Sequence, residues 1–172
     1  MQLHQINMGF EPLQDRLLLR VSTTDRLEYR LWLTRRIVKA WWPNLIKLAG
    51  ESEVVRRQTE PGSRQAVLGF QHEHALQKAK FSDAYEPAQA VSDEPMLVWA
   101  IRMRPLSSGA HELVLTPREG KGVTMTLTET MLHALLKLLQ TSIKLTDWDL
   151  QLEVPGAIAS PTAAEGAARK PN

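Results

Sequence analysis

The chain has 172 residues, of which 43% are hydrophobic and 23% are charged, and it contains no cysteine. This length suits one domain with a hydrophobic core of its own, and the lack of cysteine excludes disulfides and zinc-thiolate sites. No apolar run approaches the roughly 20 residues of a membrane-spanning helix, and the N-terminus, MQLHQINMGFEP, lacks the basic start and apolar stretch of a secretory signal. We therefore expect a cytoplasmic protein of bacterial type with no membrane partner.

The formal net charge of +2 is too small to identify a partner, but the charges are unevenly distributed. Residues 1–50 hold eight Lys/Arg against four Asp/Glu, whereas residues 51–95 hold five against eight. This asymmetry permits an anionic partner. It does not amount to the clustered basic stripe that is typical of nucleic-acid-binding domains.

The first clear secondary-structure signal is DRLLLRV at 15–21, whose alternating apolar residues predict a half-buried strand. Asp25 and the glutamate three residues later resemble a capping box, so we predict a helix over about Asp25–Trp42. Pro43 lacks the amide that would continue this helix. The chain is therefore expected to kink there, or to restart as a short helix that ends at Gly50.

The middle of the chain has weaker patterns. We interpret residues 51–64 as a connection and predict a helix at 65–81, although its periodicity is mixed. Residues 82–95, SDAYEPAQAVSDEP, are expected to form an irregular acidic connection. This segment either lies draped over the fold or acts as a mobile lid.

The signals become clearer from residue 96 onward. Alternation predicts a strand at 96–105, MLVWAIRMRP, and then a hairpin in which HELVLTP and VTMTLT are joined by REGKG. An amphipathic helix follows at Glu129–Leu145, with His133 on its polar side. DWDLQLE at 147–153 is expected to add a last short strand, and the Ala/Pro/Gly-rich tail at 154–172 is expected to be disordered.

One internal similarity stands out. LLLRVSTTDRLEYRLWL and VTMTLTETMLHALLKL both run through a strand, a threonine, an acid and a helix. Either two strand–helix units face each other across one sheet, or two junctions merely share cap chemistry, which the few identities favour. We predict one α+β domain over residues 1–153, with a mainly antiparallel sheet of four to five strands and two long amphipathic helices packed on one face.

On the predicted helix, Trp32 is a large apolar side chain with no obvious packing partner. Projected at about 100° per residue, it lies opposite the apolar side of the helix, among Arg35, Arg36 and Lys39. Three explanations remain open: the middle segment covers it, a second subunit packs on it, or nucleic-acid bases stack on it. We take Trp32, Arg35, Arg36 and Lys39 as a candidate protein interface, through which the protein forms a homodimer or binds another protein.

The outward face of the predicted sheet is an alternative site. If the leucines and Trp99 face the helices, arginines and threonines line the other face: Arg16, Arg20, Arg102, Arg104, Thr124 and Thr126. Such a face can receive a single nucleic-acid strand, with the arginines holding phosphates. A solvated face is nevertheless favoured, because aromatic residues that stack on bases are missing from these outward positions.

The sequence contains no motif for catalysis or cofactor binding. HEH at 72–74 can share a metal ion on a strand, but on the predicted helix its two imidazoles lie about 200° apart. We interpret these histidines and His133 as solvated residues, and REGKG as a tight turn, because it lacks the Ser/Thr of a phosphate loop. We expect no catalytic, metal or cofactor site. The favoured function is a non-enzymatic interaction module, and a cofactor-free enzyme is the least supported class.

Overall fold

A computed structural model of the chain describes residues 3–78 and 88–157. Within these residues it is an α+β structure with seven strands and four helices: β1 (Leu3–Glu11), β2 (Arg16–Thr23), β3 (Leu27–Leu33), α1 (Arg35–Ala49), α2 (Glu53–Arg56), α3 (Pro61–Lys78), β4 (Gln89–Ala90), β5 (Met96–Pro105), β6 (His111–Pro117), β7 (Val123–Leu127) and α4 (Glu129–Ile143). The mostly antiparallel sheet is larger than the four to five strands predicted. No helix in the described ranges is long and apolar enough to cross a membrane.

The strands form one sheet in the order β1-β2-β3-β5-β6-β7, with the two-residue β4 also paired to β3. Neighbours are antiparallel except at β3, which runs parallel to both β4 and β5. The pairing of β3 with β5 involves only Leu31 with Met96 and Trp32 with Leu97. Two three-stranded antiparallel halves are therefore joined at a short parallel seam.

The two halves repeat one unit, in which three antiparallel strands are followed by a helix. The first strand of each half carries a bulge at the same place, between Leu3 and Gln5 in β1 and between Val98 and Ala100 in β5. The residues after the bulges correspond by register, and isoleucine and methionine recur at the same two positions: Ile6 and Met8 in β1, Ile101 and Met103 in β5. Each helix packs against the first strand of the other half, α1 against β5 and α4 against β1.

Both long helices begin at a threonine that directly follows a strand. The hydroxyl of Thr34 accepts the N–H of Ile37, and that of Thr128 accepts the N–H of Met131, so each satisfies an amide of the first turn. Both helices are 15 residues long. The fold does repeat, but not through the two stretches that look similar in the sequence: LLLRVSTTDRLEYRLWL forms β2 and β3, whereas VTMTLTETMLHALLKL forms β7 and most of α4. The residue that corresponds to Thr128 is Thr34.

The predicted helix at Asp25–Trp42 is wrong in its first half. Residues 27–33 form β3, which pairs with β2 along its length, and the chain reverses just before it, where Arg26 adopts a positive φ of 59°. Apolar residues at every second position of LEYRLWL match a strand, but two of them, Leu27 and Leu31, also have helical spacing. Antiparallel pairing with β2, the strand just before it, decides in favour of the strand.

The C-terminal half of the predicted helix agrees better with the structure. Pro43 lies inside α1, which continues without a restart to Ala49 and is followed by Gly50 as its C-cap. The helix predicted at 65–81 is confirmed over residues 65–78 as part of α3 (Pro61–Lys78), which starts four residues earlier than predicted. Residues 79–81 lie outside the described residues. The three strands predicted after residue 96, and the helix that follows them, are confirmed as β5, β6, β7 and α4.

Other expectations were wrong or lie outside the described residues. β1 was not predicted, and 147–153 form no strand. Of the expected acidic connection, only 88–95 are described, and of the expected tail, only 154–157 are described.

The segment after α4 is irregular but well packed. Trp148 is buried, packs edge-on against Phe10 with ring centroids 6.3 Å apart, and donates from Nε1 to Asp15 Oδ1 at 2.5 Å. Further on, a Cβ at Gly69 of α3 would lie 2.1 Å from the carbonyl carbon of Gly156, so only glycine fits there. Trp148 is thus buried by packing on the core while its segment stays irregular, so the apolar residues of DWDLQLE do not indicate a strand.

The core lies between one face of the sheet and the helices α1 and α4. Alternate strand residues and the apolar sides of both helices contribute its fully buried members: Leu17, Leu19, Leu31, Leu33, Leu45, Leu113, Leu115, Met125, Leu127, Leu132, Leu135 and Leu136. Helix α3 packs on the polar side of α4. On the other face of the sheet, Arg16, Arg20 and Trp32 are half-buried, and Arg102, Thr124 and Thr126 are exposed.

Candidate functional site

Trp32 lies on β3 rather than on a helix. Its neighbours along the strand, Leu31 and Leu33, are fully buried in the core, so the indole projects from the opposite, outward face of the sheet. There it is half-buried, beside Leu18 of β2 and Leu97 of β5, with which it pairs in register. The expectation that Trp32 shares a helix face with basic residues is therefore wrong.

The other members of that candidate interface are on a helix. Arg35, Arg36 and Lys39 lie in the first two turns of α1 and are all exposed. Without Trp32 on α1, this group has no aromatic residue of its own. The structure keeps the three cations together but separates them from the side chain that motivated the site.

The six residues predicted for the outward sheet face do lie on it, in two groups. Those of the first half are Arg16 and Arg20 on β2, and those of the second half are Arg102 and Arg104 on β5 with Thr124 and Thr126 on β7. All alternate with residues that pack in or against the core, such as Leu17 on β2, Met103 on β5 and Met125 on β7. The two arginines of β2 are half-buried and the other four residues are exposed.

Trp99 was expected to face the helices with the core residues; its ring contacts Arg36 of α1 but is exposed rather than buried in the core. It lies in the β5 bulge, where the extra residue reverses the alternation between Leu97 and Ile101. Its ring is 53% exposed, and the guanidinium groups of Arg36 and Arg118 lie 4.9 Å and 5.9 Å from the ring centroid. These distances are typical of cation–π contacts.

Nearby carboxylates neutralise part of the positive charge on this face. Arg104 binds Glu112 through two hydrogen bonds of 2.7 Å and 3.1 Å, which raise the pKa of Arg104 and lower that of Glu112. Arg16 pairs in register with Glu11. The Nη2 atom of Arg30 donates to the carbonyls of residues 92 and 93, so it helps to fix that loop.

Three buried histidines form a cluster that the sequence did not reveal. His72 of α3 and His133 of α4 have their Nδ1 atoms 3.1 Å apart, so one ring donates a hydrogen bond to the other. His133 is completely buried, contrary to the prediction of a surface residue, because α3 covers the polar side of α4. His111 of β6 is buried nearby, whereas His74 is exposed and stacks on Phe70.

Burial lowers the pKa of all three buried histidines. The pKa of His133 falls to about 4, first through burial and then through the proximity of His72 and His111. Nε2 of His133 and Nδ1 of His111 are buried and have no hydrogen-bond partner within residues 3–78 and 88–157. Among the described residues, no three His, Asp or Glu side chains are arranged to hold a metal ion. The cluster therefore acts as a neutral, acid-sensitive packing contact between α3 and α4.

A groove of about 740 Å³ lies between α1 and β5, and we call it the α1–β5 groove. Its apolar lining includes Ile37, Trp41, Leu48, Ile101 and Met103. The indole Nε1 of Trp41 lies 3.1 Å from the sulfur of Met103, which ties the helix to the strand. Charged side chains also line it: Lys47, Glu51, Arg102, Arg104 and Glu112.

Three surfaces thus remain for interpretation: the outward sheet face with Trp32, the histidine cluster and the α1–β5 groove. The first and third are open to a partner, whereas the histidines are enclosed. Their chemistry has to be interpreted directly, because the chain matches no protein-family model and no curated protein or solved structure is significantly similar to it.

Proposed function

We propose that the protein binds single-stranded nucleic acid on the outward face of its sheet. The observation that carries this proposal is the position of Trp32, half-buried at the seam of the face that also holds Arg16, Arg20 and Arg102. Aromatic side chains on a sheet surface stack on unpaired bases, and neighbouring arginines contact phosphates. The sequence alone favoured a solvated face because such an aromatic was missing, and Trp32 supplies it.

Trp99 adds a second aromatic surface near the first. Its strand neighbour Leu97 pairs with Trp32, and its ring lies beneath Arg36 and Arg118. A base that stacks on this indole meets two guanidinium groups able to contact its phosphates. The two tryptophans together provide places for more than one base along a bound strand.

The proposal can be tested by fluorescence anisotropy with a labelled single strand of about 12 nucleotides, within the range of known site sizes. We expect binding that weakens steeply as salt rises, because bound phosphates release counterions. Trp32→Leu keeps an apolar side chain at the seam and removes the stacking surface, so it should weaken binding by roughly tenfold or more. Trp32→Phe should retain most of the affinity.

Leu145→Ala is the control, since Leu145 is exposed beyond the end of α4 and does not belong to the sheet. Binding that is undetectable at low salt would contradict the proposal. Equal affinity of the Trp32→Leu and Trp32→Phe variants would contradict it as well, because base stacking would then make no contribution.

A second candidate function is self-association as a homodimer, favoured by the exposure of Trp99. Tryptophan and arginine are enriched in interface hot spots, Arg36 lies over this ring, and Arg35 and Lys39 are exposed close to Arg36 at the start of α1. Light scattering of the wild-type protein and of a Trp99→Ala/Arg36→Ala variant tests this. A dimer that the variant splits supports it, and a monomeric wild-type protein at micromolar concentration contradicts it.

A further inference from the structure

We propose that the α1–β5 groove is a second binding site, which takes an extended peptide segment carrying one aromatic side chain between carboxylates. The site is distinct from the proposed nucleic-acid face, although Arg102 and Arg104 border both. Three properties of the groove point to this partner: the edge of β5, the apolar lining and the corresponding place in the other half of the sheet.

The edge of β5 favours an extended partner. At the end of the β5–β6 hairpin, the N–H of Leu106 donates to the carbonyl of Ala110 at 2.8 Å. Antiparallel strands exchange hydrogen bonds at every second pair, so the N–H and C=O groups of Ile101 and Met103 point away from β6. Since β3 reaches β5 only near its start, no strand in the described residues pairs with β5 at these two positions. An extended peptide can add to such an edge through main-chain hydrogen bonds.

The lining of the groove favours an apolar anchor on that peptide. Trp41 and Ile37 of α1 face Ile101 and Met103 of β5 across the groove, so an inserted side chain would contact apolar groups from both elements. The volume of about 740 Å³ exceeds what a small aliphatic side chain fills. An aromatic ring fits this space better.

In the first half of the sheet, the corresponding place is filled by the chain itself. Phe10 near the end of β1 corresponds by register to Pro105 at the end of β5. Trp148 packs edge-on against Phe10 and is only 2% exposed, while the flanking Asp147 and Asp149 are exposed. The fold therefore contains an example of the occupant: a tryptophan between two aspartates, carried on a segment without regular secondary structure.

The charges of the groove agree with an acidic segment. Its three cations are Lys47, Arg102 and Arg104, and the residues at the equivalent positions of α4 and β1 are uncharged: Thr141, Asn7 and Gly9. Arg104 is already paired with Glu112, and Glu51 also lines the groove, so one positive charge remains in excess. Carboxylates beside the aromatic anchor would therefore be attracted to the second groove more than to the first.

The test uses a fluorescein-labelled peptide with the sequence of residues 146–153, TDWDLQLE, and the full-length protein. We expect saturable binding in an anisotropy titration, and a peptide with alanine in place of tryptophan should bind at least about tenfold more weakly. Lys47→Glu places a negative charge in the groove and should weaken binding about fivefold or more. Ala40→Trp, at an exposed position of the lining, fills the groove without changing charge and should abolish binding.

Lys39→Glu is the matched control, because Lys39 is exposed on the same helix, does not line the groove and undergoes the same charge change. It should alter affinity less than about twofold. Equal weakening by the variants of Lys39 and Lys47 would overturn the proposal, as would failure of the peptide to bind. A wild-type dimer that Lys47→Glu splits would also overturn it, because the occupant would then be a second copy of this chain. The Trp32→Leu variant should bind the peptide normally, which separates this site from the nucleic-acid face.

Discussion

Lys39 and His133 occupy the same position in the two halves of the molecule, five residues after the threonine that caps each helix. Lys39 is exposed on α1, whereas His133 is completely buried on α4. The difference arises because α3 packs on the polar side of α4. The repeat thus determines which helix residues face the sheet. The elements added to each half, such as α3, determine which of the other helix residues are buried and which stay exposed to a partner.

The same contrast holds on the strands. At equivalent positions in the outward face, the first half has Trp32 and the second half has Thr126. Next to β1, the first strand of the first half, the buried Trp148 packs on Phe10. Next to β5, the first strand of the second half, lies the open α1–β5 groove. The candidate sites are therefore found where the two halves differ, and the following predictions separate the shared scaffold from these differences.

The largest change in stability is expected from substitutions in the core, to which the two halves contribute equivalent residues. Leu45 and Leu139 are equivalent, and both are fully buried. Replacement of either by alanine should lower the free energy of unfolding by about 3–5 kcal/mol, through lost burial and the cavity that remains. Urea unfolding measures this, and Leu145→Ala, at a position that is 65% exposed, should change it little. A large loss at only one of the two leucines would contradict the equivalence of the halves.

The next effect is specific to the second half and depends on pH. The pKa of His133 is about 4 in the folded protein, against 6.5 in the unfolded chain. As pH falls below about 6.5, His133 becomes protonated in the unfolded chain but stays neutral in the folded protein. The free energy of unfolding therefore decreases. The decrease should be complete near pH 4 and should reach about 3 kcal/mol for this residue. The lowered pKa values of His72 and His111 act in the same direction.

Urea unfolding at pH 7, 6, 5 and 4 tests this dependence. A His72→Leu/His133→Leu variant should lose much of it, because both buried rings are removed together. His74→Leu is the control, since His74 is exposed two residues away. If this control flattens the profile as much as the double variant does, the histidine cluster does not cause the pH dependence.

The smallest effect concerns the two helix caps. Thr34→Ala and Thr128→Ala each remove a side-chain acceptor for a first-turn amide, and each should lower the free energy of unfolding by about 1 kcal/mol. Thr126→Ala, on an exposed strand position, serves as the control for loss of a hydroxyl. Markedly unequal losses from the two caps would show that the two helix starts, although alike in geometry, are not alike in energy.

The sequence predicted the second half of the fold better than the first. In β5, β6, β7 and α4, the apolar periodicity, the turn residues and the cap all indicate the same elements. Around β3, a local capping signal at Asp25 competed with the alternation of Leu27, Leu31 and Leu33. Pairing with β2 in a hairpin resolves that conflict, and the apolar pattern within residues 25–33 does not by itself reveal this pairing.

The site was predicted in part for the same reasons. Strand alternation correctly placed the arginines on the outward face, but the error at β3 assigned Trp32 to a helix. Trp99 was misplaced because nothing in MLVWAIRMRP marks the bulge. The burial of His133 depends on α3, an element whose packing partner no periodicity reveals.

The packing of each helix on the other half explains what holds the two halves of the domain together. In each half, the first strand is covered by a helix that belongs to the other, so neither half is closed by its own residues. A fragment ending just after α1 would leave β1 uncovered and would present α1 without β5. Two such fragments can supply each other with the missing surfaces, which makes the single chain the covalent counterpart of a symmetric dimer.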